Sequence, residues 1–235
     1  MSRQIEKLSI FLPAYNEEAS LENTVKNVTE NLEKNVSEWE VVIVDDGSTD
    51  NTGKIANELA KENKKITVIH HSQNRGYGAA FKSGLYGCQY PWIAFIDSDG
   101  QFNFAEISRF IVTQEKTHAD LIIGFYLGRK VSFTRKLNSK MWQLLVLLLF
   151  GLNVRDIDCG FKLISKKVVD TISKLESEGA FISSEFLIKA KKADFKIVEL
   201  GVRHFSRKFG KATGAKLNVI VQGFSDLFKL WQKLK

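Results

Sequence analysis

Two prolines, two cysteines and no apolar run longer than seven residues set the first limits on this 235-residue chain. So few prolines leave no Pro-rich linker, which favours one large α/β unit over two small ones. Cys88 and Cys159 lack any CxxC spacing, so neither a zinc site nor a disulfide framework is expected, and a reducing setting fits. The longest apolar run, Leu144–Phe150, is far short of the roughly 20 residues that cross a bilayer. No transmembrane helix is expected, and that run reads as core, with a second membrane-interfacial element as the alternative. Met1–Lys7 is polar, unlike a secretory leader. No aromatic-basic recognition motif or helix-turn-helix signature points to a nucleic-acid partner.

Disorder is excluded by a 44% hydrophobic, 26% charged composition, which is ordinary for a folded domain. The charge divides unevenly. Residues 1–125 hold 12 Lys+Arg against 18 Asp+Glu, whereas residues 126–235 hold 22 against 9. An acidic part suits a metal ion, and a basic part suits phosphates or an anionic lipid surface. A merely solvated basic surface is the plain alternative.

Leu8–Leu12, Glu40–Val44, Ile66–His70, Trp92–Ile96 and Asp120–Gly124 read as strands rich in Ile and Val. Helical stretches separate them, such as Glu18–Asn35, with Leu21, Val25, Val28 and Leu32 on one face, and Thr52–Lys64. That alternation implies a mostly parallel sheet flanked by helices, with ligands bound beyond the carboxyl ends of the strands. Further on, Ser132–Leu152 and Ser183–Ala193 read as helices, and Asp156–Ser165 as a turn into a short strand. Lys196–Phe205 reads as another strand. From Leu217 the apolar residues 217, 220, 221, 224, 227, 228, 231 and 234 make one helical stripe.

Four strand ends in succession carry polar, glycine-containing turns: Pro13-Ala14-Tyr15-Asn16-Glu17, Asp45-Asp46-Gly47-Ser48, Asn74-Arg75-Gly76 and Asp97-Ser98-Asp99-Gly100-Gln101. Two carboxylates as close as Asp97 and Asp99 repel one another, so a site that keeps both ionised commonly holds a cation. Mg²⁺ or Mn²⁺ prefers such oxygens and shares them with substrate phosphates, and Gln101 supplies a further oxygen. A carboxylate in the Asp45-Asp46 turn suits a ribose hydroxyl or a base N–H. Asp50 reads as a helix N-cap, with Asn51 and Thr52 as competitors for that role. Each turn taken alone is equally a solvated loop.

In this order the motifs resemble family 2 glycosyltransferases, and most of all their dolichol-phosphate mannosyltransferase-like branch. Asp156-Ile157-Asp158-Cys159-Gly160-Phe161-Lys162 is similar to the branch's Asp-X-X-Ser-Gly-Phe-Arg, and Arg207–Thr213 to its Arg-X-X-Gly-X-Ser-Lys. The resemblance covers residues 8 to about 214. It implies a glycosyltransferase A fold, with a catalytic domain at 1–214 and a C-terminal amphipathic helix at 215–235. By resemblance, Pro13, Tyr15, Glu17, Val44 and Asp46 hold the nucleoside, and Asp97, Asp99 and Gln101 hold Mg²⁺ or Mn²⁺. Ser98 lies near the ribose, Arg207 meets phosphate, and Asp156 lies near sugar and acceptor. Two positions depart from the pattern: Tyr126 stands where the branch has Arg, and Thr213 where it has Lys. Arg129 or Arg135 is the candidate replacement for the first, and Lys211 lies two residues before the second.

The implied reaction is inverting transfer of a hexose from a nucleotide-sugar, of GDP-mannose or UDP-glucose type, to a polyprenyl phosphate. A phosphate acceptor is already an anion, so positioning and cationic groups such as Arg129, Arg135, Arg203, Arg207 and Lys211 suffice. A saccharide or protein hydroxyl is the alternative acceptor, and then Asp156 or Asp158 is the natural base. A catalytically inactive partner that binds nucleotide-sugar or membrane is the alternative from another class. Gly201–Lys235 carries eight Lys+Arg and one acid, Asp226. The Leu217–Leu234 helix reads as lying in a bilayer interface, with packing on the core or a partner subunit as the alternative. A peripheral place on the cytoplasmic face is therefore expected, against an anionic membrane surface or a membrane partner subunit.

Overall fold

A computed structural model describes residues 5–128, 133–207 and 217–234, with side chains except at 133–137 and 217–221. The described strands are β1 (Lys7–Ala14), β2 (Glu38–Asp45), β3 (Ile66–His70), β4 (Trp92–Ile96), β5 (Leu121–Leu127), β6 (Phe161–Ser165) and β7 (Ile197–Arg203). The described helices are α1 (Leu21–Asn35), α2 (Thr52–Glu62), α3 (Tyr77–Gly87), α4 (Ile107–Thr117), α5 (Phe133–Phe150), α6 (Lys166–Thr171), α7 (Ile182–Lys192) and α8 (Leu217–Leu234).

One sheet carries all seven strands in the order β3-β2-β1-β4-β6-β5-β7. Its inner strands are buried on both faces, so β1 and β2 read as apolar runs rather than alternating ones. Ile10, Leu12, Val41 and Ile43 meet α1 and α4 on one side, where Leu21, Val25, Val28 and Leu32 are fully enclosed as their spacing predicts. Phe11, Val42, Val44 and Phe95 meet α3 and α7 on the other. Phe11, Phe81 and Phe95 pack ring to ring with centroids 5.0–5.2 Å apart.

Strand direction decides where the chemistry collects. β1, β2, β3 and β4 are mutually parallel, and β7 runs parallel to β5. β6 alone runs antiparallel, wedged between β4 and β5, with Phe161 opposite Ile96. Its reversed direction brings Asp156–Gly160 to the same sheet end as Asp97. The last pair of β5 and β7, Leu127 with Arg203, sends the following residues off at that end too. The sequence indicated a turn into a strand here but not its direction.

The run Leu144–Phe150 departs from expectation. Only Val146 is fully buried, while Leu144, Leu147 and Leu148 are exposed. α5 packs one narrow face inward and turns apolar residues outward as well. α8 likewise buries Leu227 and Leu230 but exposes Phe224 and Phe228. Among the described residues no helix is long and apolar enough to cross a membrane.

Candidate active site

The turns after β1 and β2 lock together. Asn16, at φ +55°, accepts the Thr49 N–H at 2.8 Å through its side chain and donates its own N–H to Ser48 at 3.1 Å. The Glu17 N–H donates to Thr52 Oγ1 at 2.8 Å, and Asp50 Oδ1 accepts the Thr52 N–H at 2.9 Å. The N-cap of α2 is Asn51, so Asp50 stands one residue before the cap and braces the turn instead. Ser98 Oγ donates to the Pro13 carbonyl at 2.6 Å and so ties the β4 end to the β1 end. Ser98 is therefore buried and committed to backbone. Tyr15 stands at the lip with its ring 39% exposed.

Asp45 and Asp46 point to neighbouring loops. Asp45 accepts from the Ser48 N–H at 3.0 Å and meets His70 Nδ1 at 2.9 Å. Burial opposes its ionisation, but the bonds from Ser48 and His70 outweigh that and hold it below the usual carboxylate range. Asp46 is buried and accepts the Arg75 and Gly76 N–H groups, both at 2.9 Å, and meets His71 Nδ1 at 2.6 Å. His71 in turn meets Ser83 at 2.8 Å. The Asn74–Gly76 turn is thus held by Asp46. Gly47, at φ +68°, has no room for a side chain: a Cβ would stand 2.3 Å from the Gln73 carbonyl carbon. Val44 is fully enclosed in the core and offers a ligand no surface. Of the residues expected to touch the nucleoside, it is the one the fold withdraws entirely.

At the β4 end, Asp97 and Asp99 do share the cleft side. The Asp97 N–H donates to the Gly160 carbonyl at 3.2 Å, and the Asp97 carboxylate fills the space a side chain at 160 would need. Burial, then the like charge of Asp99, push the Asp97 carboxyl up to about 7, while Lys162 and Arg207 pull it back. Lys162 is fully buried, with Nζ donating to the Cys159 carbonyl and lying 5.5 Å from the Phe95 ring centroid. The Tyr77 hydroxyl is 3.5 Å from Asp97 Oδ1, and burial raises it well above the ordinary tyrosine value.

Arg207 joins the first and fourth turns. Its Nη2 donates to Glu17 at 2.7 Å and to Asp99 at 3.2 Å. Burial pushes Glu17 upward despite bonds from Ser20 and Arg207. Gln101 stays beside Asp99, with its backbone N–H donating to Asp99 Oδ1 at 3.0 Å. Its side-chain Nε2 donates to the Phe205 backbone carbonyl at 2.8 Å, and its backbone carbonyl accepts the Phe205 N–H at 2.9 Å. It thus fastens the segment that carries Arg207. Among the described residues no group of three or more His, Cys, Asp or Glu side chains is arranged to hold a metal. The Asp97/Asp99 pair nevertheless has the donor chemistry of a divalent-cation site: two crowded oxygen ligands, one made hard to ionise by burial and then by the charge of the other.

Asp156 accepts the Asp158 N–H at 3.0 Å, just before Gly160. Tyr126 lies against the Phe102 ring and edge-on to His204, with centroids 6.0 and 4.5 Å away. An aromatic cluster therefore stands where the resemblance puts a cation. Arg129, Lys211 and Thr213 lie outside the described residues, and Arg135 falls on α5 with its side chain outside them. Lys162, Tyr77 and His71 were not among the expected site residues. Lys162 was visible only as the last position of the Asp156 motif, and the other two carried no local signal.

The sheet order, its reversed sixth strand and carboxylates at the parallel strand ends define a glycosyltransferase A fold. Glucosyl-3-phosphoglycerate synthase from Mycobacterium tuberculosis in complex with UDP superposes with a TM-score of 0.73 at 20% identity, covering 97% of this chain and 80% of that one. The same enzyme with Mn²⁺, UDP and phosphoglyceric acid gives 0.73 at 19% identity, covering 96% and 78%. The sequence profile of Glycosyl transferase family 2 matches residues 9–173, and the chain belongs to that family. It is 27% identical over 218 residues to undecaprenyl-phosphate 4-deoxy-4-formamido-L-arabinose transferase of Proteus mirabilis, covering 92% of this chain. It is 28% identical over 203 residues to glycosyltransferase AglD of Haloferax volcanii, covering 83% of this chain. The chain spans 65% and 32% of the lengths of these two relatives.

Proposed function

We propose that this chain transfers a sugar from a nucleotide-sugar donor to a polyprenyl phosphate, with inversion, using Mg²⁺ or Mn²⁺ held by Asp97 and Asp99. The observation that carries this reading is the meeting of Asp97, Asp99, Glu17 and Arg207 at one end of a family 2 sheet. The undecaprenyl-phosphate transferase supports the choice of acceptor, and the Mn²⁺ and Mg²⁺ complexes of the glucosyltransferase support the metal.

A divalent cation bound by the two aspartates supplies charge neutralisation for the departing nucleoside diphosphate. The chain's own residues do the rest. Tyr15 and Pro13 form the lip that receives the nucleoside, and Glu17 works through Arg207. Asp46 and Ser98 position the turns rather than touch the donor. Gln101 secures the Phe205 segment through Nε2 and its backbone carbonyl, and its side-chain oxygen would join Asp97 and Asp99 in holding the cation. Arg207 meets phosphate, and its fork suits two oxygens at once. Asp156, beside Gly160, borders the sugar. An acceptor phosphate is ionised at neutral pH, so Asp156 orients and no strong base is needed. The domain split at 214/215 and a peripheral place on the cytoplasmic membrane face belong to this same proposal.

The test incubates purified protein with polyprenyl phosphate and a panel of labelled nucleotide-sugars, then counts label in the organic phase. Metal-dependent transfer is expected with one donor, lost in Asp99→Ala. Undiminished transfer by Asp99→Ala removes the metal site, and no transfer with any donor removes the acceptor assignment.

A further inference from the structure

Two helices that flank the cleft turn apolar side chains to solvent. On α5, Met141, Leu144 and Leu148 recur at helical spacing, and Leu148 is 73% exposed. On α8, Phe224 and Phe228 are one turn apart, and Phe228 is 56% exposed. The helices touch through Trp142, edge-on to Phe224 with centroids 5.3 Å apart, so the two exposed rows are neighbours. The end of α8 is pinned to the protein, because Lys192 donates to the Leu234 carbonyl and Lys233 pairs with Glu176. Its aromatic row therefore stays outward.

The borders of these rows are cationic. Lys140 is exposed one turn before Leu144, and Lys229 is exposed beside Phe228. α5 has no acidic residue, and the one acid of α8, Asp226, is half-buried and accepts from Gln222 at 2.8 Å. Such a rim disfavours a second copy, since a two-fold contact would press like charges together. It suits anionic headgroups over an apolar interior. Both helices are joined to the cleft: α5 follows β5, whose last residue Leu127 is exposed, and α8 follows the segment of Phe205 and Arg207.

We infer that the outward faces of α5 and α8 form one surface that docks on an anionic bilayer, with Leu144, Leu148, Phe224 and Phe228 entering the interface. The choice of a bilayer as occupant rests on the polyprenyl-phosphate reading. Docked so, the mouth of the cleft lies at headgroup level, where a lipid phosphate sits.

The test floats the full chain with phosphatidylcholine vesicles with and without phosphatidylglycerol. It compares wild type with L144S/L148S, F224S/F228S and, as a control on α4, V112S. Transfer to a short-chain polyprenyl phosphate, soluble without vesicles, is measured alongside. Binding to the anionic vesicles is expected, weakened by about tenfold or more in each double variant and unchanged in V112S. Melting temperatures and short-chain transfer stay as in wild type, because the substituted side chains are exposed. Three results overturn the surface: no vesicle binding, equal loss in V112S, or a wild-type dimer that the double variants dissolve. Loss of vesicle binding in the double variants without lipid-phosphate transfer by any protein upholds the surface and overturns the acceptor instead.

Discussion

Gly160 and Asp97 compete for one space: a Cβ on Gly160 would stand 1.9 Å from Asp97 Oδ2 and 2.5 Å from its carboxyl carbon. The same two residues share a backbone bond, so β4 and the start of β6 are fixed with the carboxylate clamped between them. Gly160→Ala must therefore turn Asp97 out of place. Its expected effect is a loss of metal affinity of about 10–100-fold, the range seen when a ligand's support is removed. Calorimetry with Mn²⁺ measures it, and circular dichroism confirms that the fold survives. Unchanged affinity would mean that the position of Asp97 is not what this glycine protects.

Arg207 spans two carboxylates whose charges would otherwise repel. Arg207→Ala is expected to lower kcat/KM for transfer by roughly 10²-fold, the scale of one lost charge-stabilising donor. Lys at this position restores the charge but not the planar fork, so only part of the rate returns. Full recovery in Arg207→Lys would show that charge alone matters.

The pH dependence follows from Asp97 and Glu17, both raised, chiefly by burial. Asp97 holds its proton up to about 7 when folded but loses it near 4 when unfolded. Between those values the folded state binds more protons, so metal-free stability falls as pH rises through that window and levels off above it. Asp97→Asn removes most of this slope and is expected to melt higher than wild type at pH 8 without metal. Mn²⁺ competes with the same proton, so its stabilisation grows from pH 5 to pH 7. Thermal melts across pH 5–8 with and without Mn²⁺ check both signs.

Asp46 is also an enclosed carboxylate, and its role is mechanical. Removing it in Asp46→Ala leaves the part-buried Arg75 and Gly76 N–H groups and the buried His71 without their acceptor. A loss of roughly 2–4 kcal/mol in urea unfolding is expected. A loss below about 1 kcal/mol would mean that water replaces the carboxylate at the turn.

Much of this architecture is legible in the chain. Val and Ile runs such as Val41–Val44 mark buried strands because nothing else accounts for four apolar residues in a row between polar turns. The parallel register then gathers the turns at one end. What local pattern does not carry is direction and reach. β6 is five residues long, and nothing within Phe161–Ser165 reveals that it runs backwards. Gln101 reads as an oxygen ligand beside Asp99, and nothing local shows that its amide nitrogen also reaches Phe205, 104 residues on. Lys162 is enclosed by contacts from other strands, so its sequence neighbours give no sign of burial. Leu144–Phe150 misleads because apolar composition marks a preference for leaving water, not for this protein's own core.

The most direct measurement is calorimetric titration of the protein with UDP and GDP, with and without Mn²⁺, in wild type and Asp97→Asn/Asp99→Asn. One of the nucleotides is expected to bind wild type only when Mn²⁺ is present, and the double variant is expected to bind neither. Equal binding without the metal, or by the double variant, would contradict a cation seated on those two aspartates.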